Sequence, residues 1–161
     1  MRNWGVYVAI ALGAVGYNAF TRADRDASGA IVEEGTVSAF QMRVGDCFQD
    51  SSSAASEENY EVSEVRGVPC SEPHDNEVFA VLDLDAPSFP EGDAIVDLAM
   101  SSCLDRFEGF VGRDYESSSL DITAMYPTRE SWDRQNDREV VCAVYDMNLN
   151  QLVGSAAGTA L

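Results

Sequence analysis

Four cysteines, Cys47, Cys70, Cys103 and Cys142, all lie downstream of an uncharged N-terminal run and are widely spaced. An even number at such spacing suggests two disulfides in an oxidising compartment. Two cross-links would tie distant parts of one chain together and so limit the folds open to it. No Cys-x-x-Cys pair is present, which argues against a zinc ribbon or a thioredoxin-type redox motif. Which cysteine joins which depends on the elements that carry them.

Phe40 to Phe48, "FQMRVGDCF", reads as a strand with Phe40, Met42 and Val44 on one face, ending at a Gly45-Asp46 bulge or turn. Tyr60 to Val68 is β-prone, and its alternation breaks at Val65, for which a bulge is one explanation. Pro69 and Pro73 bracket a turn around Cys70. Glu77 to Leu84 is apolar enough for a central strand. A helix is expected over about Gly92 to Phe110, with Val96, Ala99, Met100, Cys103, Phe107 and Phe110 on one stripe. Leu120 to Tyr126 alternates cleanly, and "TRESWDRQND" reads as a short helical turn or loop. Arg138 to Met147 forms a further strand with Cys142 at its middle, and "LVGSAAGTAL" closes the chain as a short strand and a frayed tail.

The expected fold is therefore α+β: an antiparallel sheet packed against one main helix and held by two disulfides. Cys47 and Cys70 sit at the ends of successive strand segments, which a hairpin brings together. Cys103 on the buried helix stripe and Cys142 in mid-strand suit a staple between helix and sheet. Cys47–Cys70 with Cys103–Cys142 is thus favoured over the other two connectivities.

Trp4 to Phe20, "WGVYVAIALGAVGYNAF", carries no charge. It is at the short end for a membrane-crossing helix, which needs about 20 residues. Trp4, Tyr17 and Phe20 would lie near the interfaces. A cleaved signal peptide is the rival reading, but Thr21-Arg22-Ala23 and Ser28-Gly29-Ala30 match a cleavage site only loosely. The expected organisation is a single transmembrane anchor over 1–20, a polar tether over 21–39, extended against the domain or flexible, and a folded domain over 40–161. Arginines on both sides of the run leave its orientation open by charge. The cysteines place the domain on the extracytoplasmic side of the cell membrane.

The formal net charge is −18, from 28 acidic and 10 basic residues, and every basic residue is arginine. Such a surface repels nucleic-acid backbones, so no nucleic-acid partner is expected. It also repels anionic headgroups, so the membrane is met through residues 4–20 alone.

Chemistry-bearing residues cluster in "VPCSEPHDNEVF", Val68 to Phe79. Cys70 and His74, the chain's only histidine, have a spacing that suits two metal ligands, with Glu72, Asp75 and Glu77 at hand. Metal binding or nucleophilic work needs a free thiolate, which a disulfide denies. No cofactor is expected. What remains is a turn that supports itself through His74 or offers it, with Glu77, to a partner. Trp132, beside Arg129, Arg134 and Arg138, is either an exposed interface anchor or a cap on the sheet edge. Arg138 beside Asp133 and Asp137 suggests a surface ion pair. No GxSxG elbow, HExxH, P-loop or GxGxxG occurs.

The motifs also have an order. "VGDCF" (Val44 to Phe48) is followed by "VPCSEPHDNEVF", the helical Cys103, "YPTRESWDRQNDREVVC" (Tyr126 to Cys142) and "VGS" (Val153 to Ser155). This series resembles the septum-formation domain family of mainly actinobacterial envelope proteins, over roughly Met42 to Gly158. Family members often carry Gly-Asp-Arg after the tryptophan, where this chain has Asn136-Asp137-Arg138. Asparagine tolerates positive φ, so the turn should survive. The resemblance implies a membrane-tethered extracytoplasmic domain associated with division-septum formation, and no known reaction. The expected role is that of an interaction or accessory protein of the cell envelope, acting with other envelope or membrane proteins and without catalysis. The alternative is an envelope enzyme or cation-binding domain using His74 and neighbouring carboxylates.

Overall fold

The computed structural model describes residues 22–50 and 61–161. The expected anchor over 1–20 lies outside them. No helix among the described residues is long and apolar enough to cross a membrane.

The fold is α+β, as expected. Its strands are β1 (Asp24–Arg25), β2 (Ile31–Glu33), β3 (Gly35–Ser38), β4 (Cys47–Gln49), β5 (Glu64–Val68), β6 (Asn76–Asp83), β7 (Leu120–Met125) and β8 (Glu139–Asp146). The helices are α1 (Ala94–Val111) and α2 (Arg129–Gln135). Strands β1 and β2 form a hairpin, and the other six form one sheet in the order β3-β5-β4-β6-β8-β7. Every pairing in that sheet is antiparallel. The two long strands, β6 and β8, lie side by side in it, and both run through buried residues.

One face of the sheet packs on α1. Phe79, Leu120, Ile122, Val140, Cys142 and Val144 meet Ile95, Ala99, Cys103, Phe107 and Val111 there. The buried line on α1 advances by four residues at each step, so it runs slightly askew of the expected stripe. Val96, Met100 and Phe110 lie half-buried at its margin, and Ile95 and Val111 take the central places. A sheet presents a broad surface, and only the helix's narrowest ridge reaches it fully. The Phe79 ring meets Phe107 edge-on, with centroids 6.1 Å apart. A register shift between Val78 and Ala80 lets Val78 face the opposite side of the sheet from Phe79 and Ala80.

The second face carries its own apolar cluster, in which Ile31, Val37 and Met42 pack with Phe48, Val65, Val78, Val141 and Ala143. This corrects the reading of 21–39 as a tether, because β1 to β3 lie there and β3 is an edge of the main sheet. Ile31-Val32 is too short an apolar pair to mark a strand in the sequence; its partners supply the stability. Gly67 of β5 makes the approach possible. A Cβ at that position would lie 2.7 Å from a Val37 methyl and 2.8 Å from Ile31 Cδ1.

The strand expected over Phe40 to Phe48 is also corrected. Ala39–Gln41 is a turn of 3-10 helix, and regular pairing starts only at Cys47. Of the three residues assigned to one face, Met42 is buried while Phe40 and Val44 are exposed. Gly45, at φ +88°, turns the chain, and its N–H donates to Val78 O at 2.8 Å. The broken alternation at Val65 needs no bulge. The strand begins at Glu64, and Val65 pairs with Val37 in unbroken register.

The C-terminal segment is docked, not frayed. His74 and Leu152 form an antiparallel bridge, Gly158 N–H donates to Phe110 O at 2.8 Å, and Ala160 N–H donates to Val111 O at 2.9 Å. These last two bonds satisfy carbonyls that the end of α1 leaves open. Asn136 takes φ 55° after α2, as expected of an asparagine at that turn.

Candidate functional site

Both disulfides are Cys47–Cys70 and Cys103–Cys142, the favoured connectivity. The first joins β4 to the turn before β6, and the second joins α1 to β8. Around the first lies the sequence block that promised chemistry. The two sulfurs and a Glu77 carboxylate oxygen lie within 4.8 Å of one another, but the sulfurs are bonded to each other and offer no thiolate. His74 contributes no atom to that group.

His74 is 0% exposed, so the turn does not present it to a partner. Its Nδ1 lies 2.8 Å from Glu72 O, which can only accept, so Nδ1 carries the proton. Its backbone exchanges hydrogen bonds with Leu152, N–H to Leu152 O at 3.0 Å and C=O from Leu152 N–H at 2.8 Å. Nε2 is buried with no hydrogen-bond partner among the described residues. Glu77 is 1% exposed. Its Oε1 accepts from Ser155 Oγ and its Oε2 from the Ala156 N–H, each at 2.6 Å. Both residues are internal, and together they hold the C-terminal segment to the sheet.

Trp132 is 4% exposed, which excludes it as an exposed anchor. Thr128 caps α2 in a capping box with Ser131, and that places Trp132 under the helix. Its ring meets Phe89 edge-on at 5.6 Å and is covered by Arg138, whose Cζ lies 3.5 Å from the ring centroid. Arg138 makes no surface ion pair among the described residues. Its Nη1 donates instead to Trp132 O at 3.1 Å and Asp137 O at 2.7 Å. The sequence places arginine, aspartate and tryptophan together, but backbone carbonyls, which composition cannot reveal, took the guanidinium.

Two further polar centres have no motif in the sequence. Asp46, 2% exposed, receives both Arg25 nitrogens at 2.5 and 2.7 Å and the Arg43 N–H at 2.8 Å. The hydrogen bond to Asp46 raises the Arg25 pKa above its usual value. Asp121, on the second sheet face, accepts from Tyr115 Oη at 2.5 Å and Tyr145 Oη at 3.0 Å. The bond to Asp121 and some burial push the Tyr115 phenol up to about 12. Burial and the bond to Asp121 push Tyr145 up to about 12 as well. Burial works to raise Asp121, but the hydrogen bonds from Tyr115, the Ile122 backbone and Tyr145 hold it below the usual carboxylate range.

The second sheet face also holds a groove with a volume of about 640 Å3. Exposed Phe40 and half-buried Val62 and Met125, with buried Phe48, Val65 and Val141, give the groove its apolar lining. Among the described residues, its charged lining consists of Asp50, Glu61, Glu130, Asp137 and Glu139, with no arginine or histidine. Of the five, only Glu130 is ion-paired among the described residues, with Arg134. Partial burial, then the nearby Asp137 and Asp83, raise the Glu139 pKa above its usual value. The alternation of β7 and β8, read for its polar face, carries a trace of this groove: Thr123 and Met125 on one strand, Glu139 and Val141 on the other.

Comparison with known proteins agrees with the order of motifs. A family model described as septum formation matches residues 44–160. That span holds both disulfides, the Glu77 clamp, the Trp132–Arg138 stack and all five groove carboxylates. No curated protein and no solved structure matches the chain. A match over most of the sequence, on blocks whose residues build the fold, makes this chain a member of the septum-formation family.

Proposed function

We propose that this protein is a membrane-anchored, extracytoplasmic interaction or accessory protein of the cell envelope, acting in septum formation or within a membrane protein complex, and that it is not a catalyst. One observation carries the reading. The side chains that the sequence offers for chemistry hold the fold together, while the described residues leave a partly apolar groove on the second sheet face. Catalysis needs reactive groups that converge on a space a substrate can enter. Cys70 is oxidised, and His74 and Glu77 are sealed from water. A partly apolar groove on a sheet suits binding instead. The uncharged run over residues 4–20 and the two disulfides support anchoring and an oxidising location.

The test is purification of the full chain from its native membranes in mild detergent. A specific protein recovered with it in fixed proportion is the expected result. Recovery of the chain alone from the soluble fraction would overturn both the anchor and the interaction role.

A further inference from the structure

The partner's chemistry follows from the groove's two kinds of surface. Its apolar lining combines exposed Phe40 and half-buried Val62 and Met125 with buried Phe48, Val65 and Val141. Among the described residues, its charged groups are all carboxylates. A bare cation has no use for the floor, and an anionic glycan, lipid headgroup or nucleic acid would be repelled by the rim. The chain's own undescribed segments fit poorly by charge, since 51–60 holds Glu57 and Glu58 with no basic residue, and 1–21 holds Arg2 alone. We propose that the groove takes a cationic segment of a partner protein, with arginine or lysine reaching the carboxylates and apolar side chains on the floor. This rests on the interaction role proposed above and goes further, by naming what is bound and where.

The raised Glu139 pKa agrees with this arrangement: partial burial is its main cause, and the nearby Asp137 and Asp83 add repulsion. An incoming guanidinium relieves that repulsion. Asp137 and Glu139 are half-buried, so a pair formed there would be screened less than one at exposed Asp50, Glu61 or Glu130. Strand pairing at the nearby sheet edge is a poorer route for a partner. In β7, the Leu120 N–H is taken by Ser118 Oγ at 3.0 Å and the Ile122 N–H by Asp121 Oδ1 at 2.8 Å. Binding is therefore expected on the face of the sheet.

The experiment uses the full chain in a neutral detergent and a fluorescent nine-residue peptide of alternating arginine and leucine. Controls replace every arginine by glutamine, or every leucine by serine. Fluorescence anisotropy should show each control binding at least tenfold more weakly, and the parent peptide losing at least tenfold between low and high salt. The combined change Glu61→Gln, Glu130→Gln and Glu139→Gln should cost at least tenfold. Met125→Arg, which puts a cation on the floor, should do the same. The overall charge of −18 is the rival explanation, so an equal neutralisation is made on exposed positions of α1, Asp97→Asn, Asp105→Asn and Glu108→Gln. That variant should bind as the parent does. Equal losses in the two neutralised variants, or equal binding of the glutamine peptide, would overturn the proposal. A native partner that co-purifies equally well with the Met125→Arg chain would overturn it too, while leaving the interaction role intact.

Discussion

The carboxylate of Glu77, in the middle of the sheet, accepts a 2.6 Å hydrogen bond from the Ala156 N–H, 79 residues further along the chain. The neighbouring Ser155 hydroxyl occupies the other oxygen. A buried carboxylate that kept only one donor would be a liability, so the last residues of the chain complete the sheet's polar accounting.

Glu77→Gln keeps the shape and removes the charge. The amide oxygen can accept from the Ala156 N–H while its NH2 donates to the Ser155 hydroxyl, so both bonds survive but lose their charge. Loss of stability by about 2 kcal/mol is expected from two charge-assisted bonds becoming neutral ones. Hydrogen exchange checks the location: the Gly158 and Ala160 amides, now bonded to Phe110 and Val111, should lose protection before those of β6 and β8.

Arg25→Ala strips a 2% exposed Asp46 of both guanidinium bonds. Breaking such a pair from one side should destabilise by about 3 kcal/mol. Urea unfolding measures the loss, and proteolysis near Asp26 to Ala30 reports release of the β1–β2 hairpin. If the segment were a free tether, the substitution would change neither.

The Asp121 cluster links stability to pH in two directions. The tyrosine pKa values stand above the ordinary 10.0, so their contribution is whole below pH about 10 and is lost as pH rises through about 12. Asp121 stands below the ordinary 3.8, so its contribution is present above that value and is lost as pH falls through the lowered one. In an alkaline absorbance titration, Tyr115 and Tyr145 should ionise well above the ordinary 10.0. Asp121→Asn should bring both back towards the ordinary value.

Arg138→Ala removes the cation over Trp132 and two bonds to carbonyls, and should cost about 1–2 kcal/mol. Trp132→Ala removes the ring itself and should cost about 3 kcal/mol or more. Chemical denaturation measures both. The double variant should fall short of the sum, because each single change already breaks the stack.

The two disulfides differ in the loops they close, with sequence separations of 23 for Cys47–Cys70 and 39 for Cys103–Cys142. Loop-closure entropy predicts losses of about 3.5 and 4 kcal/mol when each pair is changed to alanine. Thermal unfolding of the two double variants should rank them in that order.

Local pattern carried much of this fold. Alternation located β7, helical spacing located α1, and the positions of the cysteines on their elements led to the right pairing. These features depend on neighbours close in sequence, where period and composition are read directly. The block order carried the family as well, because those blocks make the turns and cross-links. Other features were set by partners far away in the chain. Residues 22–38 look like a tether until Asp46 and the second sheet face receive them. His74 and Trp132 look available until Leu152 and Arg138 cover them. The groove has no sequence motif, since its floor comes from four separate strands. Burial and pairing across long separations depend on where the whole chain packs, and a residue's type states only what it can bond to. "VPCSEPHDNEVF" thus displays its reactive groups in sequence, and tertiary packing turns them into the clamp that closes the domain.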